Sequence, residues 1–224
     1  MQTLDHASEF KPTNIPYVLL GAALLWFGWF GFNAGSALGS GQLAGSAFLA
    51  TNLSAAAGML AWTATEVLTG RKPTVLGAAS GAVAGLVGIT PAAGFVGPMP
   101  ALAIGAITGC LCYFGLRLKS RFGFDDALDV VGVHGVGGAT GAILTGVFAS
   151  VAVNSAGANG LLYGGGLALL GKQLVGVGAT IAFSLIVSAI ILKCIDLTIG
   201  LRVDVESEAT GLDVAEHAET GYEF

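Results

Sequence analysis

Long runs of uncharged residues constrain this chain more than any other feature. With histidine counted as neutral, four runs of 54, 44, 42 and 20 residues lie at 12–65, 73–116, 130–171 and 173–192. Charged residues make up 10% of the chain against a usual quarter, and hydrophobic residues make up 54%. A helix needs about 20 mostly apolar residues to cross a bilayer. The sequence therefore predicts an all-α integral membrane protein.

Breaks within these runs predict six transmembrane helices. The first run divides near Gly39–Gly41, and the second divides at the three prolines of "TPAAGFVGPMP", which cannot continue a helix. The third run holds one helix followed by the glycine-rich loop "NSAGANGLLYGGG". The predicted spans are about 16–38, 43–68, 74–91, 98–118, 127–152 and 172–198. The predicted domains are an N-terminal segment at 1–15, a transmembrane domain at 16–199 and an acidic tail at 200–224.

Basic residues predict the orientation of these spans. If the helices alternate from the N-terminus, eight of the nine basic residues fall on one side of the membrane. These eight are Lys11, Arg71, Lys72, Arg117, Lys119, Arg121, Lys193 and Arg202. Because basic residues concentrate in cytoplasmic loops, both termini are predicted to be cytoplasmic in a multi-pass cell-membrane protein. The tail is then a cytosolic segment, and its composition favours a solvated tail over an ordered one.

Small residues recur at four-residue spacing in several predicted spans. The pairs and triplets are Gly31/Gly35, Gly77/Gly81/Gly85, Gly105/Gly109 and Gly137/Gly141. Lipid gives helices no hydrophobic reason to associate, so small residues at the contacts let helix backbones approach closely. The pattern predicts tight packing and at most a narrow, dry passage for something small.

His134 and Asp129 are the ionisable residues that matter most in the fifth predicted span. His134 lies eight residues beyond Asp126, which is about 12 Å along a helix axis and near mid-bilayer if the helix starts there. An ionisable group embedded in a membrane indicates a functional site. An imidazole can bind a substrate, relay a proton or line a pore. Asp129 is interpreted as a helix N-terminal acid held by free backbone N–H groups, with an orienting role as the alternative.

The first span carries a group of aromatic and polar side chains. Within "LLWFGWFGFNAGSA" the aromatic residues accompany Asn33 and Ser36. Trp29, Phe32 and Ser36 lie within two turns on related faces. One interpretation is ordinary packing against lipid and protein, and the other is an aromatic gate whose ring faces attract a cation.

Several functions are excluded or disfavoured by what the sequence contains. The three cysteines lie in apolar segments without metal-ligand spacing, so we expect buried thiols, no metal site and no cofactor. The glycine-rich stretches lie in or between spans and not in a strand–helix phosphate loop. No nucleophile and base of the hydrolase type are present, so an enzyme is not expected. We also expect no nucleic-acid partner, and the first sixteen residues show no signal peptide.

Four long blocks resemble the Amt/Mep/Rh ammonium transporters, in the Amt branch. The blocks are "LLWFGWFGFNAGSAL" (Leu24–Leu38), "LGAASGAVAGLVGITPAAGFVGP" (Leu76–Pro98), "DDALDVVGVHGVGGATGAILTGVFA" (Asp125–Ala149) and "DLTIGLRV" (Asp196–Val203). They occur in the family's order, and the resemblance runs from about residue 11 to 222. Members of this family have eleven spans in two inverted repeats plus a last helix, and this chain resembles spans six to eleven. The resemblance therefore implies a C-terminal half, or fragment, of that fold.

The resemblance also implies roles for individual residues. His134 matches the second histidine of the pore pair, and Phe32 matches the inner gate phenylalanine. Trp29 matches a pore-lining tryptophan, and Ser36 matches a serine that binds ammonium at the outer mouth. Asp129 matches an acid near the cytoplasmic end of its helix. The family implies ammonium as substrate, a homotrimer, and a PII-type regulatory protein at the cytoplasmic face.

The expected function is transport of ammonium or ammonia through a narrow hydrophobic pore in the bilayer. The first histidine and the outer phenylalanine of the family belong to the half that this sequence does not resemble. An N-terminal half is therefore expected to complete the pore. The alternatives are a non-transporting regulatory or assembly subunit, an inactive truncated fragment and, least favoured, an intramembrane enzyme that uses His134 and Asp129.

Overall fold

The structure is a computed structural model that describes residues 12–123 and 126–221. Every regular element in these residues is helical. The elements are α1 (Ile15–Gly35), α2 (Gln42–Leu68), α3 (Val75–Ile89), α4 (Pro98–Phe122), a π-helical turn (Val131–Gly135), α5 (Val136–Phe148), a 3-10 turn (Leu161–Tyr163), α6 (Ala168–Thr198), α7 (Val205–Thr210) and α8 (Leu212–His217). The described residues form two compact units, unit 1 up to Val177 and unit 2 from Gly178 onward, which are described separately.

Six apolar helices occupy the predicted spans, although their bounds differ. Five of them, including the π-helical turn joined to α5, are long and apolar enough to cross a membrane, whereas α3 has 15 residues. The largest difference concerns the predicted span at 127–152, which the structure confines to Val130–Phe148. This helix starts late because Asp129 has φ of 57°, and it ends where Ala149 turns extended.

Glycines hold α2 between α3 and α4 at backbone contact. A Cβ at Gly58 would lie 2.5 Å from the Gly81 carbonyl oxygen. A Cβ at Gly109, on α4, would lie 2.6 Å from the Gly58 carbonyl oxygen. A Cβ at Gly85 or at Gly105 would collide with the Ser54 carbonyl oxygen, and the Ser54 hydroxyl donates to the Gly85 carbonyl at 2.8 Å. The prediction of close glycine packing is confirmed for these three helices.

The same kind of contact joins α3 to α5, but α1 is different. A Cβ at Gly141 would meet the Gly88 backbone within van der Waals overlap, and one at Gly137 would touch Cys112 Sγ and Val87. Within the described residues nothing lies within 4 Å of a Cβ built at Gly31/Gly35. The prediction that these two glycines mediate helix packing is therefore wrong for contacts within this chain.

A buried acid closes the turn between α2 and α3. Glu66 is 6% exposed, and its two carboxylate oxygens accept from the Thr74 backbone N–H at 3.0 Å and the Thr74 hydroxyl at 2.8 Å. Thr74 is the N-cap of α3, and its hydroxyl oxygen accepts from the Gly77 N–H. A side chain at position 77 would collide with the carboxylate. The carboxylate therefore fixes where α3 begins. Its negative charge also interacts favourably with the positive, N-terminal end of the α3 dipole.

We expect Glu66→Ala to lower the free energy of unfolding of unit 1 by about 1–3 kcal/mol, because it removes the two charge-assisted hydrogen bonds that the buried carboxylate accepts from Thr74. Glu66→Gln keeps one acceptor oxygen and should cost less. Thermal unfolding in detergent measures both variants, with the exposed Glu206→Ala in the tail as the control. Equal unfolding temperatures for Glu66→Ala and Glu206→Ala would contradict the anchoring role.

The second unit contains the end of α6 and the two short helices of the tail. Asp204 caps α7, where its carboxylate accepts from the Ser207 N–H at 2.9 Å and the Ser207 hydroxyl at 3.0 Å. These donors hold the pKa of Asp204 below its ordinary value, the backbone N–H having the larger effect. Arg202 pairs with Glu208 at 2.7 Å. The tail is thus partly helical, which corrects the expectation from composition of a solvated tail without ordered structure. The Asp204 cap stabilises the start of α7, and overall composition does not reveal such a local interaction.

Candidate functional site

His134 lies in a π-helical turn at the start of the fifth helix. The Val136 N–H reaches back five residues to the Val131 carbonyl, and the same N–H also reaches the Val133 carbonyl. The Cys112 thiol of α4 lies 3.5 Å from the Val133 carbonyl oxygen, at hydrogen-bonding distance for sulfur. π-helical turns are rare and occur frequently at functional sites, because the extra residue redirects side chains and leaves carbonyls less well paired.

The residue that caps this helix is Asp126, not Asp129. The two carboxylate oxygens of Asp126 accept from the N–H groups of Val130 at 2.8 Å and Val131 at 2.9 Å. Asp129 instead pairs with Lys119 of α4. The interpretation of Asp129 as an acid held by free backbone N–H groups is therefore wrong, because its left-handed backbone directs its side chain to a cation on the neighbouring helix.

The late helix start also changes the position of His134 along its helix. The chain at 127–129 is a turn, so the helical rise counts from Val130. His134 then lies about 6 Å from the start of the helix at about 1.5 Å per residue, and not about 12 Å from it. Its side chain is exposed, whereas its neighbour Val133 is buried against α4. The imidazole thus faces away from the helices packed in this unit.

Three predicted site residues lie together at the end of α1. The Trp29 indole N–H donates to the Thr90 hydroxyl at 2.7 Å, and Thr90 in turn donates to the Leu86 carbonyl. The Phe32 ring packs edge-on against the Trp29 ring, with 6.2 Å between centroids, and is 63% exposed. The Ser36 hydroxyl donates to the Phe32 carbonyl at 2.6 Å, which leaves its oxygen free to accept from another donor.

The remaining aromatic residues of α1 divide between packing and exposure. Phe30 stacks on Phe48 of α2 with 4.0 Å between ring centroids. Phe27 is 77% exposed. Asn33 is buried, and its side-chain amide donates to the Thr51 hydroxyl at 3.0 Å. The packing interpretation therefore holds for Phe30 and Asn33, while Phe32 keeps an open ring face.

Helix α3 connects the α1 residues with the helix that carries His134. Helices α1 and α5 both pack against α3, and Trp29 contacts Thr90 where α3 ends. Among the described residues no side-chain hydrogen bond or ring contact joins His134 to Trp29 or Phe32. No group of three or more histidine, cysteine or acidic side chains in the described ranges is placed to hold a metal ion.

Sequence reasoning missed three polar residues that shape this region. Lys119 pairs with Asp129, Thr90 holds the Trp29 indole, and Glu66 closes the turn before α3. Lys119 lies ten residues before Asp129, across a helix end, so no helical periodicity links them. Asp126 was detectable, because an acid shortly before an apolar run is a helix-start signal.

These features define a class of protein: a polytopic helical membrane protein whose apolar helix surface carries an exposed imidazole and an open aromatic ring. The sequence profile of the Ammonium Transporter Family matches residues 1–222. The chain belongs to this family, as its sequence blocks indicate.

Relatives from bacteria and archaea support the same assignment. The ammonium transporter of Bacillus subtilis (strain 168) is 52% identical over 214 residues, which cover 95% of this chain and 53% of that protein. The ammonium transporter Amt1 of Archaeoglobus fulgidus is 44% identical, with 96% and 54% covered. The chain therefore spans about half the length of these relatives.

Solved structures match at the level of the fold. The crystal structure of Saccharomyces cerevisiae Mep2 superposes with a TM-score of 0.82 at 40% identity, covering 88% of this chain and 45% of that one. A structure described as a Sensor Amt Protein matches with a TM-score of 0.82 at 34% identity, covering 91% and 49%. The fold is thus an all-α membrane fold that corresponds to half of an ammonium transporter.

Proposed function

We propose that this chain forms the C-terminal half of a path that carries ammonium or ammonia across the cell membrane. The observation that carries the proposal is the exposed imidazole of His134 on an apolar helix surface. A charged ammonium ion is costly in a dry passage, whereas neutral ammonia crosses it readily. A neutral imidazole offers such a molecule both a donor and an acceptor.

The end of α1 has the chemistry to admit the substrate. Ser36 offers an acceptor oxygen for an ammonium N–H, and the face of the Phe32 ring attracts a cation. Trp29 is held by Thr90 and supports the Phe32 ring from one side. We propose Ser36 for ammonium binding, Phe32 and Trp29 with His134 for the lining of the path, and Asp129 as an orienting residue.

The proposed path has only one wall in this chain. Exposed Phe32 and His134 face away from the packed interior of unit 1, and the chain spans about half the length of its relatives. We infer that an N-terminal half supplies the opposite wall, in the manner of transporters built from inverted repeats. We further propose a homotrimer, cytoplasmic termini from the distribution of basic residues, and 16–199 as the membrane domain with 200–224 as the cytosolic tail.

Uptake of labelled methylammonium tests this proposal in a host without ammonium transporters of its own. We expect no uptake by this chain alone and uptake when it is co-expressed with the remaining half of the Bacillus subtilis relative. Uptake by the chain alone contradicts the need for a second half. No uptake in either case, with both halves present in the membrane, contradicts the transport proposal.

The alternative of a regulatory or assembly subunit is favoured by the ordered tail. The helices α7 and α8 and the pair Arg202–Glu208 give the tail a defined local structure that a PII-type protein can recognise. A pull-down of a PII-type protein with the full chain and with a chain truncated after residue 199 tests whether the tail has this regulatory role. Binding of a PII-type protein to both, or to neither, contradicts the regulatory role of the tail.

A further inference from the structure

A cluster of three charged groups lies directly before the π-helical turn. The Lys119 ammonium, near the end of α4, contacts the Asp129 carboxylate and also donates to the Asp126 backbone carbonyl at 2.9 Å. The Asp126 carboxylate in turn accepts from the first two N–H groups of the His134 helix. One ammonium group on α4 thus binds both residues that determine where this helix begins.

The backbone of Asp129 needs such a partner. Its φ of 57° is left-handed, a conformation that is unfavourable for most L-residues and that aspartate and asparagine tolerate best. The Asp129 carbonyl accepts from the Val133 N–H at 2.9 Å, so the position of this one residue sets the first hydrogen bond beneath His134. A rotation at Asp129 is therefore transmitted to the turn that carries the imidazole.

Packing with α4 keeps the turn in one place along the helix axis. A Cβ at Gly132 would lie 2.7 Å from the Leu116 side chain, and one at Gly115 would lie 3.2 Å from the Gly132 carbonyl oxygen. Cys112 lies at hydrogen-bonding distance from the Val133 carbonyl on the same side. The turn is thus tied to α4 at its start by Lys119 and along its length by Gly115 and Cys112.

We propose that Lys119 is a positioning residue, which acts through Asp129 and the Asp126 carbonyl to hold the π-helical turn and so to fix the direction of the His134 ring. The consequence for transport rests on the proposed function, whereas the structural part does not. Loss of the ion pair lets the turn relax toward a regular α-helix, which rotates residues beyond the turn by about 100° for each residue removed from the bulge.

Nuclear magnetic resonance of the full chain in lipid nanodiscs tests the structural part without any transport. We expect Lys119→Met and Asp129→Asn each to speed amide hydrogen exchange at residues 130–136 by about tenfold, the effect of losing one charge-assisted hydrogen bond. Both variants should also shift the ring nitrogen resonances of His134. Asparagine tolerates the left-handed backbone, so the second variant removes charge alone. Lys193→Met, which breaks the exposed pair with Asp196, is the control and should change neither signal.

A conservative variant and a transport measurement complete the test. Lys119→Arg keeps a cation that can donate to the Asp129 carboxylate and to the Asp126 carbonyl, so it should retain slow exchange and the original His134 resonances. Together with the second half, Lys119→Met should lower the maximal methylammonium uptake rate several-fold. Unchanged exchange and ring resonances in Lys119→Met overturn the proposal, as does faster exchange throughout α2–α4, which indicates a general structural role. Altered resonances with normal uptake leave Lys119 as the support of the turn and overturn only its role in transport.

Discussion

Gly105→Val should prevent this chain from folding into a stable bundle. A Cβ at this position of α4 would collide with the backbone of Ser54, and backbone atoms cannot rotate away as a side chain can. Valine adds further atoms at the same contact, so α2 and α4 must move apart. Overpacking of this kind costs about 3 kcal/mol or more, a large part of the 5–15 kcal/mol that stabilises a typical protein.

Thermal unfolding and size-exclusion chromatography in detergent measure this effect against a matched control. Gly45→Val places the same side chain on α2 at a position where nothing lies within 4 Å of a Cβ. We expect Gly45→Val to give a monodisperse protein with nearly unchanged unfolding temperature, and Gly105→Val to aggregate. Similar behaviour of the two variants would refute the view that glycine contacts hold α2 between its neighbours.

The second large effect is expected for His134→Ala in the complete transporter. The His134 imidazole can both donate a hydrogen bond to ammonia and accept one from it, and alanine removes both functions without blocking the proposed path. We expect uptake to fall by roughly a hundredfold, the lower range for a positioned group that handles a proton. Uptake of labelled methylammonium in cells that express both halves measures the loss.

Two controls show whether the loss of uptake comes from removal of the His134 imidazole. One excludes misfolding, and the other excludes an effect common to any histidine substitution, such as one in the tail. The exposed His134 side chain makes few contacts within unit 1, so the unfolding temperature of His134→Ala should match that of the unsubstituted chain. His217→Ala changes the other described histidine, which is exposed in α8, and should retain uptake. Normal uptake by His134→Ala would remove the imidazole from the proposed path.

The sequence allowed the helices and the glycine contacts to be predicted because both depend on local composition. Uncharged runs set the six spans within a few residues, and Gly81 and Gly85 meet α2 as their spacing indicates. Gly31 has the same kind of spacing but no neighbour in this chain. The spacing shows that one face of a helix carries small residues, but it does not show which helix, if any, packs against that face.

The details around His134 were not predictable for a different reason. Whether Asp126 or Asp129 caps the helix depends on the left-handed backbone at Asp129 and on Lys119 across the helix end. Residues 127–129 form a turn and not the first turn of the helix, so counting the helical rise from Asp126 places His134 too far along the helix axis. Thr90 likewise binds Trp29 only because α3 ends beside α1.

We propose that the surface carrying Phe32 and His134 is the inner wall of a path closed by a second half. The rate at which Phe32→Cys is labelled, in a chain whose native cysteines are replaced by alanine, tests whether the second half covers this surface. Val205→Cys, in the exposed tail helix α7, is the control. We predict that adding the second half slows labelling of Phe32→Cys by a bulky maleimide at least about tenfold, the factor for an opening free energy of about 1.4 kcal/mol. Labelling of Val205→Cys should stay unchanged. Equal labelling of Phe32→Cys with and without the second half would contradict the claim.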